Sequence, residues 1–305
     1  MKKLNCIFLL LSFLFLVSCS SEENYSYNNN VVNVEVSFSG LDVSVVPDEG
    51  YYSPTRGTTT APKVSRIAFK VFDTEGKEVY SIAKTDPTDN NFFHISCPLH
   101  VGTYTFVAVA HKARTEESQV ATITSPTEAS INEQYAPVAL YTKSMNVTVA
   151  GNTSQNVNVD FGKRVTSSFQ LHVTDTYPND VEKIEAIFNP SKTEAQAPYS
   201  FNPATGLTDK DLTYTLLLNR DPVKLPSFTG KKFTFSFLLN SQEQIMDVTI
   251  NMKNAADETI YTRTLSNVTF RQHCTTTATG TFFTSNVSGN FTFDTNDENI
   301  NISLN

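Results

Sequence analysis

Apolar and polar side chains alternate with a period of two along much of the chain. Val32, Val34, Val36 and Phe38 share one face, and Asn33, Glu35 and Ser37 the other, which predicts a β-strand with one side in a core. The stretch Pro47–Pro62, which contains Arg56, is broken by prolines and glycines and is otherwise polar. Such residues interrupt a ladder and stay in water, so an exposed loop open to proteases is predicted there. Order returns at Ile67, Phe69 and Val71, which alternate inward until Thr74-Glu75-Gly76-Lys77 supplies a turn. The first strand is thus set apart from the rest by a cuttable loop, which makes it a candidate removable piece.

Further strands are predicted near 78–82, 92–96, 102–110, 119–123, 136–142, 145–150 and 157–161. Tyr104, Phe106, Ala108 and Ala110 share a face and mark a central core strand. Around Gly162-Lys163-Arg164 the pattern breaks, and a domain boundary is expected near residue 163. The second part repeats the style, with strands near 169–173, 183–188, 212–218, 232–239, 247–252, 261–265, 272–283 and 290–293. Phe233, Phe235, Phe237 and Leu239 alternate against Lys232, Thr234 and Ser236, with one lapse at Leu238. Near the C-terminus Ile300, Ile302 and Leu304 alternate with Asn301, Ser303 and Asn305, echoing the first strand. Strands punctuated by turns at about ten-residue spacing predict β-sandwiches. The expectation is an all-β chain of two sandwiches, 31–163 and 164–305.

Composition agrees: Thr, Ser, Asn, Val and Phe are abundant, and no long stretch repeats an apolar residue at helical spacing. A length of 305 residues suits two domains with ordinary cores. The net charge of −8 offers no basic stripe, so nucleic acid is excluded as a partner.

Met1-Lys2-Lys3 precedes an apolar run from Ile7 to Val17, too short to span a bilayer and suited to a secretory signal. It ends in Leu16-Val17-Ser18-Cys19, which resembles a bacterial lipobox. That resemblance implies a signal peptide over 1–18, a lipidated Cys19, a tether over 19–30, and anchorage in the outer membrane, because several acyl chains at ~0.8 kcal/mol per buried CH₂ hold a protein there. Ser20-Ser21-Glu22-Glu23 resembles the surface-export signal of Bacteroidetes lipoproteins, or is a plain acidic tether. With Cys6 in the signal and Cys19 lipidated, Cys97 and Cys274 remain; they are expected to be two separate thiols.

Catalytic and metal chemistry find little support. His94, Cys97 and His100 fall short of four zinc ligands, and the odd offset of His94 from Cys97 puts them on opposite faces of a strand. Asp294, Asn296 and Glu298 alternate like part of a calcium loop but lack its glycine and closing Glu, and are expected to form a solvated acidic turn. Glu116 and Glu117 are adjacent and point apart, unlike paired glycosidase acids. No nucleophile elbow, phosphate loop or Cys/His pair stands out. No enzyme, metal or cofactor is expected, and the Asn146 and Asn267 sequons mean little in a bacterial chain.

Taken together, the lipobox, the first strand, the Arg56 loop, Val64-Ser-Arg-Ile-Ala-Phe-Lys-Val-Phe-Asp-Thr-Glu-Gly76 and Gly102-Thr-Tyr-Thr-Phe-Val-Ala-Val-Ala110 resemble the fimbrillin family of Bacteroidetes. Val268-Thr-Phe-Arg271 through Gly280-Thr-Phe-Phe283 is similar to a C-terminal segment of that family, with Gln272 where Asn is usual. The resemblance implies two transthyretin-like Greek-key sandwiches in a lipid-anchored pilus subunit: shaft, tip or anchor. It further implies adhesion, and partnership with other fimbrial subunits in homo- or heteropolymers. An Arg-specific protease would cut between Arg56 and Gly57, freeing a strand of about Val31–Val46. The vacated slot would take a neighbour's C-terminal strand by β-augmentation, with Ile300, Ile302 and Leu304 of the Asn299–Asn305 donor replacing Val32, Val34, Val36 and Phe38. Arg66 adjoins a strand and should be poorly accessible. A surface lipoprotein binding glycans or nutrients through Tyr51, Tyr52 and Tyr135 is the alternative, disfavoured by the absence of Trp.

Overall fold

The computed structural model describes residues 31–41, 64–113, 119–132, 139–151, 153–189, 191–192, 199–209, 213–220, 227–283 and 291–297. These residues form strands, turns and loops, with no helix among them. Residues 31–305 group as one compact unit.

In chain order the first strands are β1 (Val31–Ser39), β2 (Arg66–Phe72), β3 (Glu78–Lys84), β4 (His94–His100), β5 (Gly102–His111), β6 (Thr122–Ser125), β7 (Glu128–Ile131), β8 (Leu140–Val149) and β9 (Gln155–Asp160). They are followed by β10 (Ser167–Val173), β11 (Lys183–Phe188), β12 (Tyr199–Phe201), β13 (Tyr214–Asn219), β14 (Lys232–Phe237), β15 (Glu243–Lys253), β16 (Thr259–Arg271), β17 (Cys274–Gly280) and β18 (Thr292–Asp297). The first layer pair is a sheet of order β4-β1-β9 facing one of order β3-β2-β5-β8, with Val34, Val36, Phe69, Phe106 and Val159 in the core between them. The second is β14-β10-β17-β18 against β13-β11-β15-β16, closed by a cluster of Phe rings in which Phe188 lies 4.5 Å from Phe237 and Phe237 lies 5.1 Å from Phe270.

The two pairs share one topology. β1 runs antiparallel to β4 and parallel to β9, and β10 runs antiparallel to β14 and parallel to β17. The facing sheets also match, strand for strand: β3-β2-β5-β8 and β13-β11-β15-β16. β1 and β10 thus hold the same place, in the middle of their sheets. Among the described residues, only the second pair carries an extra edge strand, β18 on β17.

A third, small sheet joins the halves. β12, from the second half, pairs with β7 of the β6–β7 hairpin in the first. This sheet lies against the outer face of β2 and β5, so Ala68, Phe72, Val107 and Val109 are buried in a core that also holds Ile131, Tyr199 and Phe201. β5 is therefore buried on both faces, as its Phe-Val-Ala-Val-Ala run requires. Phe106, Ala108 and Ala110 face the first core as predicted, with Tyr104 partly buried beside them.

Several predicted boundaries differ. Within the described residues the strands expected at 136–142 and 145–150 run together as one strand, β8, from Leu140, because β5 runs beside Lys143 and Ser144 and keeps the ladder unbroken there. The expected strand at 272–283 begins only at Cys274, since Gln272 and His273 turn the chain, His273 with φ 71°. β7 and β12 were not anticipated. The acidic turn expected at 294–298 is corrected: Asp294–Asp297 belong to β18, which the open edge of β17 holds as a strand.

Candidate functional site

β1 is a strand because its alternation fits the place it fills. Val32, Val34, Val36 and Phe38 are all buried, the least exposed at 0% and the most at 7%. Opposite them on β4 stand Leu99, Cys97 and Ile95, and along β9 Val157 and Val159 lie beside Val36 and Phe38. Burying four such side chains at roughly 1.5–3 kcal/mol each yields about 6–12 kcal/mol as an upper bound. That rivals a whole domain's margin of about 5–15 kcal/mol, so the strand does not leave unaided.

The backbone of β1 bonds on both sides. Phe38 N–H donates to the Phe93 carbonyl at 3.0 Å, and the Ser39 carbonyl accepts from Phe161 N–H at 3.0 Å. Even-numbered residues therefore turn their polar groups to β4 and odd-numbered ones to β9. Pro98, opposite Asn33, points its nitrogen to the open side of β4, where no ladder bond needs an N–H. On the outer face Ser96 Oγ donates to Asn33 Oδ1 at 2.8 Å, and Asn158 Nδ2 donates to Ser39 Oγ at 2.9 Å.

Two features fix where the strand ends. The Phe38 ring lies 5.8 Å from both Phe69 and Phe161, edge-on to the first and stacked on the second. Two residues later Gly40 has φ +71°, and a Cβ there would stand 2.1 Å from Asp160 Oδ1 and 2.6 Å from the Gly162 nitrogen. Cys97, beside Val34 on β4, is at 0% exposure, and burial pushes its thiol up to about 12.

Of the residues singled out from the sequence, the structure brings Val32, Val34, Val36 and Phe38 together in one slot. Cys19, Arg56, Gly57, Ile300, Ile302 and Leu304 lie outside the described residues, as do Tyr51, Tyr52, Tyr135, Glu116 and Glu117. Arg66 is buried as expected, its Nη1 donating to the Ser65 and Thr85 carbonyls at 2.9 Å each. His94 is exposed and Cys97 buried, on opposite faces of β4. Among the described residues no group of three or more His, Cys, Asp or Glu could hold a metal. Cys97 and Cys274 form no disulfide. The roles of Gly40, Phe161 and Cys97 escaped the sequence reading; the glycine two residues past the last inward position was the signal for the first.

No curated protein matches the chain by sequence. Among solved structures, the fimbrial anchor protein Mfa2 from Porphyromonas gingivalis is 11% identical, covering 88% of this chain and 98% of its own, with a TM-score of 0.49. The tip fimbrial protein Mfa3 from Porphyromonas gingivalis, C-terminally truncated, is 12% identical, covering 88% and 99%, with a TM-score of 0.45. A family profile, fimbrillin-A associated anchor proteins Mfa1 and Mfa2, matches residues 22–222. That span takes in β1 and its whole slot as well as the sheet that joins the halves, and on it the chain belongs to the family of fimbrillin-A associated anchor proteins Mfa1 and Mfa2.

Proposed function

We propose that this chain is a structural subunit of a surface fimbria with a role in adhesion, joined to its neighbours by exchange of its first β-strand. The observation that carries the reading is the position of β1. It fills the middle of a three-stranded sheet with four buried side chains, yet it is the first strand described, so a single break downstream separates it from the fold. β10, in the same place of the second layer pair, is held by chain at both ends and cannot be released in this way.

In this reading the chain is exported as an outer-membrane lipoprotein through Cys19, with sandwiches over 31–163 and 164–305. An Arg-specific protease hydrolyses the Arg56–Gly57 bond. The burial of Arg66 favours Arg56 as the site, since a protease must reach the side chain and the backbone around it. The freed strand is then replaced by an incoming one, which a neighbour supplies through residues equivalent to Ile300, Ile302 and Leu304. Keeping the slot plugged until the cut prevents an exposed groove from aggregating on the way to the surface.

The test is digestion of the full mature chain with an Arg-specific protease. Mass spectrometry is expected to place the cut after Arg56, and SDS-resistant ladders are expected to follow when a donor-bearing subunit is present. A cut after Arg56 that releases no strand and yields no ladder would sink the reading.

A further inference from the structure

The geometry points to a slot that selects its incoming strand at one end: it takes a segment of a different subunit with aliphatic residues at three alternate positions, an aromatic at the fourth, and glycine two residues beyond. This rests on the strand-exchange reading above and goes further, because it names the sequence of the occupant. Three of the four inward positions of β1 are occupied by valine and face aliphatic or thiol side chains across the β4 ladder. Val32, Val34 and Val36 lie opposite Leu99, Cys97 and Ile95 and are each no more than 1% exposed, so a larger side chain there would overpack the core.

The fourth position is different in kind. Phe38 stands between Phe69 and Phe161 at 5.8 Å from each, and Phe69 is itself met edge-on by Phe106 at 5.4 Å. This cluster draws on β2 and β5 of the facing sheet and on the residue after β9, so it stays behind when β1 goes. An aliphatic side chain there would leave the rings with a void and forfeit the edge and stacking contacts, and a tightly packed site does not collapse to fill it.

Gly40 adds a second filter. The backbone passes so close to Asp160 and Gly162 that any Cβ must collide, and its φ of +71° disfavours L side chains independently. The outer positions are less demanding, since Ser96 and Asn158 on the neighbouring strands supply hydroxyl and amide partners. Against this template the segment Asn299–Asn305 of the same chain offers Ile300, Ile302 and Leu304 but no aromatic and no glycine. The segment 299–305 itself fills three positions and leaves the ring site empty, so the slot favours a different subunit whose equivalent segment adds the aromatic and the glycine.

The test uses the full mature chain with a site-specific protease sequence placed within 42–63, so that β1 is cut free yet still seated. Fluorescent peptides spanning 31–41 are then titrated in. The parent peptide is expected to enter, while its Phe38→Leu and Gly40→Ala forms and a peptide of 295–305 bind at least tenfold more weakly. An isomer carrying Val34→Phe with Phe38→Val, equal in composition, is expected to be rejected to the same degree. Uptake of Phe38→Leu or of the isomer within threefold of the parent overturns the selectivity while leaving strand exchange standing. No uptake of any peptide overturns strand exchange, and the selectivity with it.

Discussion

Val34 and Cys97 stand directly opposite each other across the β1–β4 ladder, and both are fully buried. The thiol is thus flanked, within the core, by the strand whose departure the proposed assembly requires. Its reactivity therefore responds to the departure of that strand.

With β1 seated, Cys97 is expected to resist alkylation, because it is inaccessible and because burial holds its thiol at about 12, far above the pH of the assay. After cleavage within 42–63 and release of β1 in dilute urea, with no peptide added to refill the slot, a maleimide reagent is expected to label it at least tenfold faster. Mass spectrometry of the peptide containing Cys97 checks this. Equal rates before and after would show that the strand does not shield the slot.

The inward residues of β1 carry its stability and the outward ones do not. Phe38→Ala is expected to cost about 3–5 kcal/mol, the usual range for emptying a Phe site in a core. Ser37→Ala, on the outer face, is expected to stay within about 0.5 kcal/mol. Urea denaturation at neutral pH separates the two.

His111 ends β5, opposite Arg66 on one side and Leu140 on the other. Burial lowers its imidazole from 6.5 to about 4, with the Arg66 charge acting in the same direction. The unfolded chain then binds a proton that the folded chain refuses between those two values. Stability is complete above about 6.5 and falls as the pH drops toward 4, by about 3 kcal/mol over the window. His111→Leu, which cannot titrate, is expected to remove that part of the slope. Melting at pH 7 and pH 4.5 for both proteins measures it, and parallel losses would mean that other groups govern the acid response.

Gly206 follows β12 and closes on the junction between the halves. Its φ is +69°, and a Cβ there would lie 2.3 Å from Val165 Cβ. Beside it Gln272 Nε2 donates to the Thr205 carbonyl at 2.7 Å. Gly206→Ala is expected to cost more than the roughly 1–3 kcal/mol of a strained backbone residue alone, because Val165 must also move. Gly76→Ala is the control: φ there is +81°, but nothing lies within 4 Å of a Cβ. Urea midpoints for the pair separate strain from collision.

What the sequence determined alone is local and periodic. Val32 to Phe38 read as a one-faced strand because alternation needs only the strand's own residues and the certainty that one side meets a core. The same logic found most of the other long strands. It also found the resemblance to fimbrillins, carried by an ensemble of short phrases.

Tertiary structure decided whatever depends on partners distant in the chain. β7 and β12 have four and three residues, too few to show a period, and exist because each supplies the other's ladder. Asp294–Asp297 had the composition of a turn and became a strand because β17 presents unpaired backbone that an edge strand satisfies. Most telling is the end of β1. Nothing near Phe38 in sequence announces Phe69 or Phe161, and nothing near Gly40 announces Asp160, yet those contacts define the slot, because close packing and excluded volume act between neighbours in space whatever their separation along the chain.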